Sequence, residues 1–169
     1  MNEQLKKEEL INRIKAHERI IYKICNSYCS NMDDRPDLAQ EIIYQLLKSY
    51  HSFKEEYKFS TWMYRIALNV AITFYRKAKT GKQVIMYEEC QEEIEDEGVE
   101  SIELEKNIHT LQQFINQLKE LDKALMILYL EEKSYKEMAE ILGISETNVA
   151  TKISRIKDRL KQQFINQNI

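Results

Sequence analysis

Two stretches of the 169-residue chain carry residue types suited to holding nucleic acid rather than to breaking bonds. The first runs from Arg65 to Lys82, where five basic residues (Arg65, Arg76, Lys77, Lys79 and Lys82) meet no acidic one. On a helix, Arg65, Asn69, Thr73 and Arg76 fall at i, i+4, i+8 and i+11 and share one stripe. Aromatic residues interleave at Tyr57, Phe59, Trp62, Tyr64, Phe74 and Tyr75. Basic side chains track a phosphate backbone and exposed aromatic faces stack on unpaired bases, which is how single strands are held. For Trp62 and Phe74 taken singly, core packing is the competing reading.

The second stretch, Ser134-Tyr-Lys-Glu-Met-Ala-Glu-Ile-Leu-Gly-Ile-Ser-Glu-Thr-Asn-Val149, has the spacing of a helix-turn-helix. Tyr135, Met138 and Leu142 form one apolar face, and Ala139 is small where two helices must approach closely. Gly143 stands where the turn wants a positive φ. Ser145 is placed to cap the second helix, whose inner face is Val149, Ile153, Ile156 and Leu160. The opposite face shows Thr147, Asn148, Thr151, Ser154 and Arg155, types that make base-edge and phosphate contacts in a major groove. Lys152, Lys157, Arg159 and Lys161 add flanking charge. An ordinary αα-hairpin with a solvated polar face is the competing reading.

Catalytic and cofactor chemistry finds little support. His17, His51 and His109 are scattered, away from metal-ligand spacing. Cys25 and Cys29 stand four apart on a helical stretch, and with Cys90 make an odd total that excludes a disulfide scaffold. Buried free thiols are the plain reading. With three glycines, neither GxGxxG nor GxxxxGK[ST] can be written. The Glu-Glu pairs at 8–9, 55–56, 92–93 and 131–132 read as solvated faces. No catalytic residue, metal, cofactor or small-molecule substrate is therefore expected. With no signal-peptide run and no membrane-length apolar segment, a cytoplasmic chain is expected.

The elements that must position these residues are helices. Three glycines and one proline exclude a turn-rich β sandwich. An apolar stripe runs through Ile11, Ile14, Ile20, Ile21, Ile24, Cys25 and Tyr28, and Asn31–Pro36 breaks it. Pro36 fits the first turn of a second helix carrying Leu38, Ile42, Ile43, Leu46, Leu47 and Tyr50 on its apolar side. Residues 52–58 read as a polar connection, and Ser60 or Thr61 as the N-cap of a third helix from about Trp62 to Lys79. Helical period resumes at Leu104, Ile108, Leu111, Ile115 and Leu118, followed by Leu121, Leu125 and Leu128. On the helix with Leu38, the residues Asp37, Gln40 and Glu41 make an acidic-polar patch, either a solvated face or a docking surface for a protein.

Charge divides the chain in the same way. The net charge is −3, yet residues 1–79 carry 14 basic and 10 acidic side chains, and residues 110–169 carry 9 and 8. Residues 80–109, with 2 basic and 10 acidic, supply the whole negative excess. Repulsion and low hydrophobicity there predict a flexible linker. The expected architecture is all-α: two small helical domains, 1–80 and 104–169, joined by a flexible acidic linker, 81–103.

Two motifs then match one family in order. Asp37-Leu-Ala-Gln-Glu-Ile-Ile-Tyr-Gln-Leu-Leu-Lys-Ser-Tyr-His-Ser-Phe53, followed by Phe59-Ser-Thr-Trp-Met-Tyr-Arg-Ile-Ala-Leu-Asn69, resembles region 2 of bacterial sigma-70-type factors. Leu118-Lys-Glu-Leu through Leu160 resembles their region 4. The absence of room for other regions is similar to the extracytoplasmic-function (group 4) subgroup. The resemblance implies a promoter-specificity subunit of RNA polymerase, without chemistry of its own. It implies that Asp37, Leu38, Gln40 and Glu41 dock on the β′ clamp helices of core polymerase, with the β flap as a further contact. Phe59, Ser60, Trp62, Arg65, Asn69, Thr73, Arg76 and Lys77 would recognise and open the −10 element. Thr147, Asn148, Thr151, Lys152, Ser154 and Arg155 would read the −35 duplex. The linker would thread the polymerase's RNA-exit channel, and an anti-sigma factor is an implied partner. Ala150 departs from the family, which often has Lys or Arg there. A free-standing helix-turn-helix regulator with a sensor or dimerisation domain is the alternative, and the basic-aromatic segment 57–82 argues against it.

Overall fold

The structure is a computed structural model that describes residues 2–81 and 99–167. Lys82, Cys90 and the body of the expected linker lie outside the described residues, as does the expectation that the linker is flexible. The regular elements described are all helical: α1 (Glu3–Ala16), α2 (Glu18–Tyr28), α3 (Asp34–Ser49), a 3-10 turn (Tyr50–Ser52), α4 (Phe59–Gly81), α5 (Val99–Gln117), α6 (Glu120–Leu130), α7 (Tyr135–Leu142) and α8 (Glu146–Gln167).

In the N-terminal group, α2, α3 and α4 pack on one another, with Leu10 and Ile14 of α1 added to their core. Ile24, Leu38, Ile42, Leu46, Met63 and Leu68 are fully buried. Each such side chain contributes roughly 1.5–3 kcal/mol by leaving water. The long first stripe is two helices, not one, because the backbone turns at His17 (φ −117°, ψ 21°). Leu38, expected among the polymerase-docking residues, has no exposed surface and belongs to this core. Ile43, expected on the apolar side, is exposed, because it lies off the stripe set by Leu38, Ile42 and Leu46.

The entry to α4 is fixed by aromatic rings. Phe53, Phe59 and Trp62 lie 5.2–5.7 Å apart by ring centroid, and Tyr50 reaches both Phe53 and Trp62 at about 6 Å. The Arg13 guanidinium lies over the Phe53 and Phe59 rings and forks to Glu9 and Glu55, each at 3.0 Å. These contacts start the helix at Phe59, so Ser60 and Thr61 sit in its first turn rather than at the N-cap. The Trp62 amide donates to the Lys58 carbonyl at 3.2 Å.

The C-terminal group is built around α6, whose residues 123–128 are all buried, as befits a helix surrounded on every side. α8 and α5 cover it on one side and α2 and α4 of the N-terminal group on the other, while α7 packs on α8 and α4. α5 begins at Val99, five residues before the expected boundary. Its buried residues are Thr110 and Phe114, with Leu118 buried just past its end, whereas Leu104 and Ile108 of the expected stripe face solvent.

The turn motif has the expected chemistry. Ser134 accepts the Glu137 amide at 3.1 Å while Glu137 accepts the Ser134 amide, a reciprocal capping box. Gly143 ends α7 at φ +68°, and the Gly143 and Ile144 amides both donate to the Ala139 carbonyl. The Ser145 hydroxyl accepts the Asn148 amide at 3.1 Å and opens α8. Met138, Ala139, Ile141, Val149, Ile153 and Ile156 close the motif's core, while Tyr135 of the expected face is exposed.

The two groups also pack against each other, through α2 and α4 on one side and α6 and α7 on the other. Lys123 of α6 lies in this joint, only 3% exposed, with its ammonium over the rings of Tyr28 and Tyr75. It donates to the Ser27 carbonyl at 2.8 Å. The Tyr28 hydroxyl donates to the Glu120 carbonyl at 2.7 Å.

Gly143→Ala tests the turn. A methyl there would meet nothing within 4 Å, so the cost is backbone strain alone. Chemical denaturation should show a loss of about 1–2 kcal/mol, and a smaller loss for Gly143→Asn.

Candidate nucleic-acid interface

The core of α4 dictates what its other side can do. Met63, Tyr64, Ala67, Leu68 and Ala71 face inward, so helical period turns Arg65, Asn69, Thr73 and Arg76 out to solvent on one stripe. Thr73 spends its hydroxyl proton on the Asn69 carbonyl at 2.9 Å, which leaves its oxygen free to accept. The Arg76 Nε donates to the Glu120 carboxylate at 3.1 Å. That hydrogen bond, after one from Glu120's own backbone, holds the Glu120 carboxyl below its ordinary range. Lys77 is exposed at the same end.

Phe59 and Trp62 are not freely exposed stacking faces, in line with the core-packing alternative for Trp62. Both are half-buried and turn their rings on each other, on Phe53 and, for Phe59, on His17 at 5.3 Å. Ser60 is half-buried beside them. The rings therefore shape the surface at the head of the Arg65–Arg76 stripe instead of standing clear of it.

On α8 the expected outer face is present. Thr147, Asn148, Thr151, Ser154 and Arg155 are all exposed, and the Thr151 hydroxyl donates to the Thr147 carbonyl at 3.0 Å. Lys152 is half-buried, with its ammonium 3.7 Å from Asp122. Two of the flanking cations pack on rings: Lys157 lies 4.4 Å from the Tyr129 centroid, and Arg159 lies 5.9 Å from that of Phe114. The Lys157 ammonium is held above its ordinary pKa by its hydrogen bond to Tyr129.

On α3, Asp37, Gln40 and Glu41 are exposed, and Glu41 accepts from Gln45 Nε2 at 3.1 Å. Tyr44, one turn on and 56% exposed, extends the same face. Its spacing from Asp37 and Gln40 was the available signal for it. The residues that sequence patterns did not single out are Glu120, Asp122 and Lys123, which read as the polar side of an ordinary helix. Among the described residues no group of three His, Cys, Asp or Glu side chains is placed to hold a metal ion. Cys25 and Cys29 are buried free thiols, pushed up to about 11 and about 12 chiefly by desolvation.

Family comparison settles what this arrangement belongs to. The Sigma-70 region 2 model matches residues 13–80, and the Sigma-70 region 4 model matches residues 108–160. The chain belongs to the sigma-70 family. Its relatives place it among the extracytoplasmic-function factors. It is 32% identical to the ECF RNA polymerase sigma factor SigW of Bacillus subtilis, over 85% of this chain and 82% of SigW. It is 28% identical to the RNA polymerase sigma factor SigV of the same organism, over 98% and 97% of the two chains. The fold matches that of the sigma factor RpoE of Bartonella quintana, solved with the anti-sigma factor NepR, at a TM-score of 0.74 and 17% identity, over 93% and 97% of the two chains. As a sigma factor the chain binds RNA polymerase and directs promoter recognition, and a free-standing regulator is not favoured. No helix among the described residues is long and apolar enough to cross a membrane.

Lys123 gives the joint beneath this interface a pH signature. Burial pushes its ammonium from the ordinary 10.5 down to about 8. Between those values the unfolded chain holds a proton that the folded chain has lost, so stability rises with pH across the window. The contribution is complete above 10.5 and is lost as pH falls through about 8. The buried thiols act in the opposite sense above pH 9; the Lys123 charge lowers the Cys29 thiol, so that opposing effect is larger in a Lys123→Met variant and the sign of the difference is kept. Urea denaturation at pH 7.5, 9 and 10 should therefore show wild-type stability rising relative to Lys123→Met; a difference independent of pH would contradict the assignment.

Proposed function

We propose a division of labour along this sigma factor. Residues 1–80 form the unit that docks on core polymerase and opens the −10 element, and residues 104–169 form the unit that reads the −35 duplex. Asp37, Gln40 and Glu41, joined by Tyr44, supply the polymerase-docking face of α3, with β′ clamp helices as its partner. Leu38 supports that face from the core. A second polymerase contact, to the β flap, falls to the C-terminal unit.

On α4, Asn69 is the base-reading group. Its amide both donates and accepts, which suits the edge of an unpaired base. Arg65, Thr73, Arg76 and Lys77 hold the backbone around it, and Ser60, Phe59 and Trp62 form the wall against which an extruded base comes to rest. On α8, Thr147, Asn148, Thr151 and Ser154 face base edges in the major groove, with Arg155 and Lys152 on phosphates. The observation that carries the reading is the exposed polar stripe Arg65–Arg76 on a helix whose other face is core. Solvated helix faces usually mix both charge signs, and this stretch has none of the acidic kind.

The chain does no bond chemistry in this scheme, since nucleotide addition belongs to the polymerase. Its place of action is the cytoplasm. An anti-sigma factor is the proposed negative partner, supported by the NepR complex of a sigma factor with the same fold.

Asn69→Ala and Arg76→Ala should weaken promoter opening by reconstituted holoenzyme while leaving polymerase affinity nearly intact. Loss of one base-reading contact costs about 1–3 kcal/mol of discrimination, so promoter choice should degrade first. Asp37→Ala combined with Glu41→Ala should do the reverse. Binding titrations with core polymerase and permanganate footprinting of open complexes separate the two. Equal loss of polymerase binding in all four substitutions would overturn the division.

A further inference from the structure

The segment that leads into the proposed base-receiving wall is held from outside by one residue of α1. Residues 53–58 cross from the 3-10 turn to α4, and the side chains of Lys54, Glu55, Glu56, Tyr57 and Lys58 are all exposed. Such a connection has little core of its own to fix it. Arg13, in the last turn of α1, reaches it in two ways at once. Its guanidinium forks to the Glu55 carboxylate, Nη2 at 3.0 Å and Nη1 at 3.5 Å, while Nη2 also donates to Glu9 at 3.0 Å. Its central carbon lies over the rings of Phe53 and Phe59, 5.8 and 5.7 Å from their centroids. Just past α1, His17 Nδ1 donates to the Arg13 carbonyl at 2.9 Å and the His17 ring rests on Phe59 at 5.3 Å. Phe53 and Phe59 bound the connection, so Arg13 holds both its ends and its middle.

We propose that Arg13 is a positioning residue for −10 recognition, latching residues 53–59 so that Phe59 and Trp62 stand ready for an unpaired base before DNA arrives. The inference rests on the proposed role of Phe59, Ser60 and Trp62 as the wall for that base. Arg13 is not placed to serve a phosphate: two carboxylates and two ring faces already surround its charge, and its side chain is 29% exposed. Arginine suits all these partners together, because its planar fork serves carboxylates at the edge while its face lies on rings. A lysine ammonium would keep the charge and lose the fork. Glu55 is 73% exposed, and a pair so open to water is weak. The latch therefore biases the arrangement of one segment in a folded protein and does not carry the fold. A wall arranged in advance spares the cost of ordering it when the base arrives, and the gain appears in opening and in base preference.

The test uses holoenzyme reconstituted from the full chain and core polymerase. Its probes are a promoter selected with the wild type from a random-sequence library, and a pool of that promoter randomised across the −10 element. Glu55→Gln should lower open-complex formation, read by permanganate, about two- to tenfold and flatten base preference in the pool. Glu9→Gln removes the other carboxylate of Arg13 with the same change of charge, and should leave both readouts at wild-type values. Arg13→Met should act as Glu55→Gln does, with Arg13→Lys between it and the wild type. The double variant Arg13→Met with Glu55→Gln should be no worse than Arg13→Met alone, because both remove one latch. Core-polymerase affinity and the salt dependence of promoter binding should stay unchanged in all of them. Loss of a phosphate contact would instead reduce the log–log salt slope by about one. Additive losses, a reduced slope in Arg13→Met, or equal effects of Glu9→Gln and Glu55→Gln would overturn the latch. So would a lower melting temperature with unaltered base preference, the mark of a merely structural role. Asn69→Ala, measured beside them, tells two failures apart. If it alters base preference and the Arg13 and Glu55 variants do not, the latch is wrong and the reading of α4 stands; if none of them does, that reading falls as well.

Discussion

Helix α4 must supply core on one side and an exposed polar stripe, the proposed interface, on the other, and the rest of the molecule follows from that constraint. A helix advances 3.6 residues per turn, so a stripe given to the core at Met63, Tyr64, Ala67, Leu68 and Ala71 fixes the outward stripe at Arg65, Asn69, Thr73 and Arg76. The helix cannot be rotated to improve one face without spoiling the other. Small residues at Ala67 and Ala71 let α2 and α3 come close, which makes the inner face firm enough to hold the outer one in register. The ring cluster of Tyr50, Phe53, Phe59 and Trp62 then fixes where the helix begins, and Arg13 ties that cluster to α1. Positioning of the stripe is thus a property of the whole N-terminal group.

What could be read from sequence divides along physical lines. The turn of the helix-turn-helix was legible, because Gly143 and Ser145 are local signals whose geometry depends on few neighbours, whereas Tyr135 of its expected apolar face is exposed. The outward faces of α4 and α8 were legible for the same reason, since period alone separates the two sides of a helix. Leu38 sits in the core while Asp37 and Glu41 stay exposed, a difference that a motif resemblance does not carry because it lists positions and not directions. The start of α4 was misplaced because Ser60 and Thr61 are good caps in isolation, and the aromatic contacts that override them come from residues distant in sequence. Leu104 and Ile108 kept helical spacing without a partner to bury them, which period cannot reveal. The joint between the groups left no trace in either half's pattern, because its polar members look like the solvated side of α6.

Charge has a second meaning once the joint is visible. Segment by segment, the two parts of the chain proposed to face nucleic acid are basic or near neutral, and the acidic excess sits between them. That average says nothing about where individual cations point in the folded chain. Arg76 and Lys152 belong to separate surfaces by sequence, yet both find carboxylates on one helix. Local pairing of this kind lowers the potential of a basic surface more effectively than a distant acidic run, because screening leaves little of an interaction beyond about 8–10 Å at ordinary salt.

The choice of lysine at position 123 bears on how permanent the joint is. An apolar side chain of similar length would gain from burial against Tyr28 and Tyr75 and would weld the two groups together. An ammonium in the same place loses hydration that two ring faces and one carbonyl return only in part, so its preference for the joint is small. Removing it to water when the groups part recovers that hydration, while an apolar residue would be penalised for the same exposure. The net effect is a joint specific in geometry and shallow in free energy. Its specificity comes from the fixed carbonyls of Ser27 and Glu120, which only one register of the two helix pairs can satisfy. Both properties reside in the contacts that α6 makes with α2 and α4.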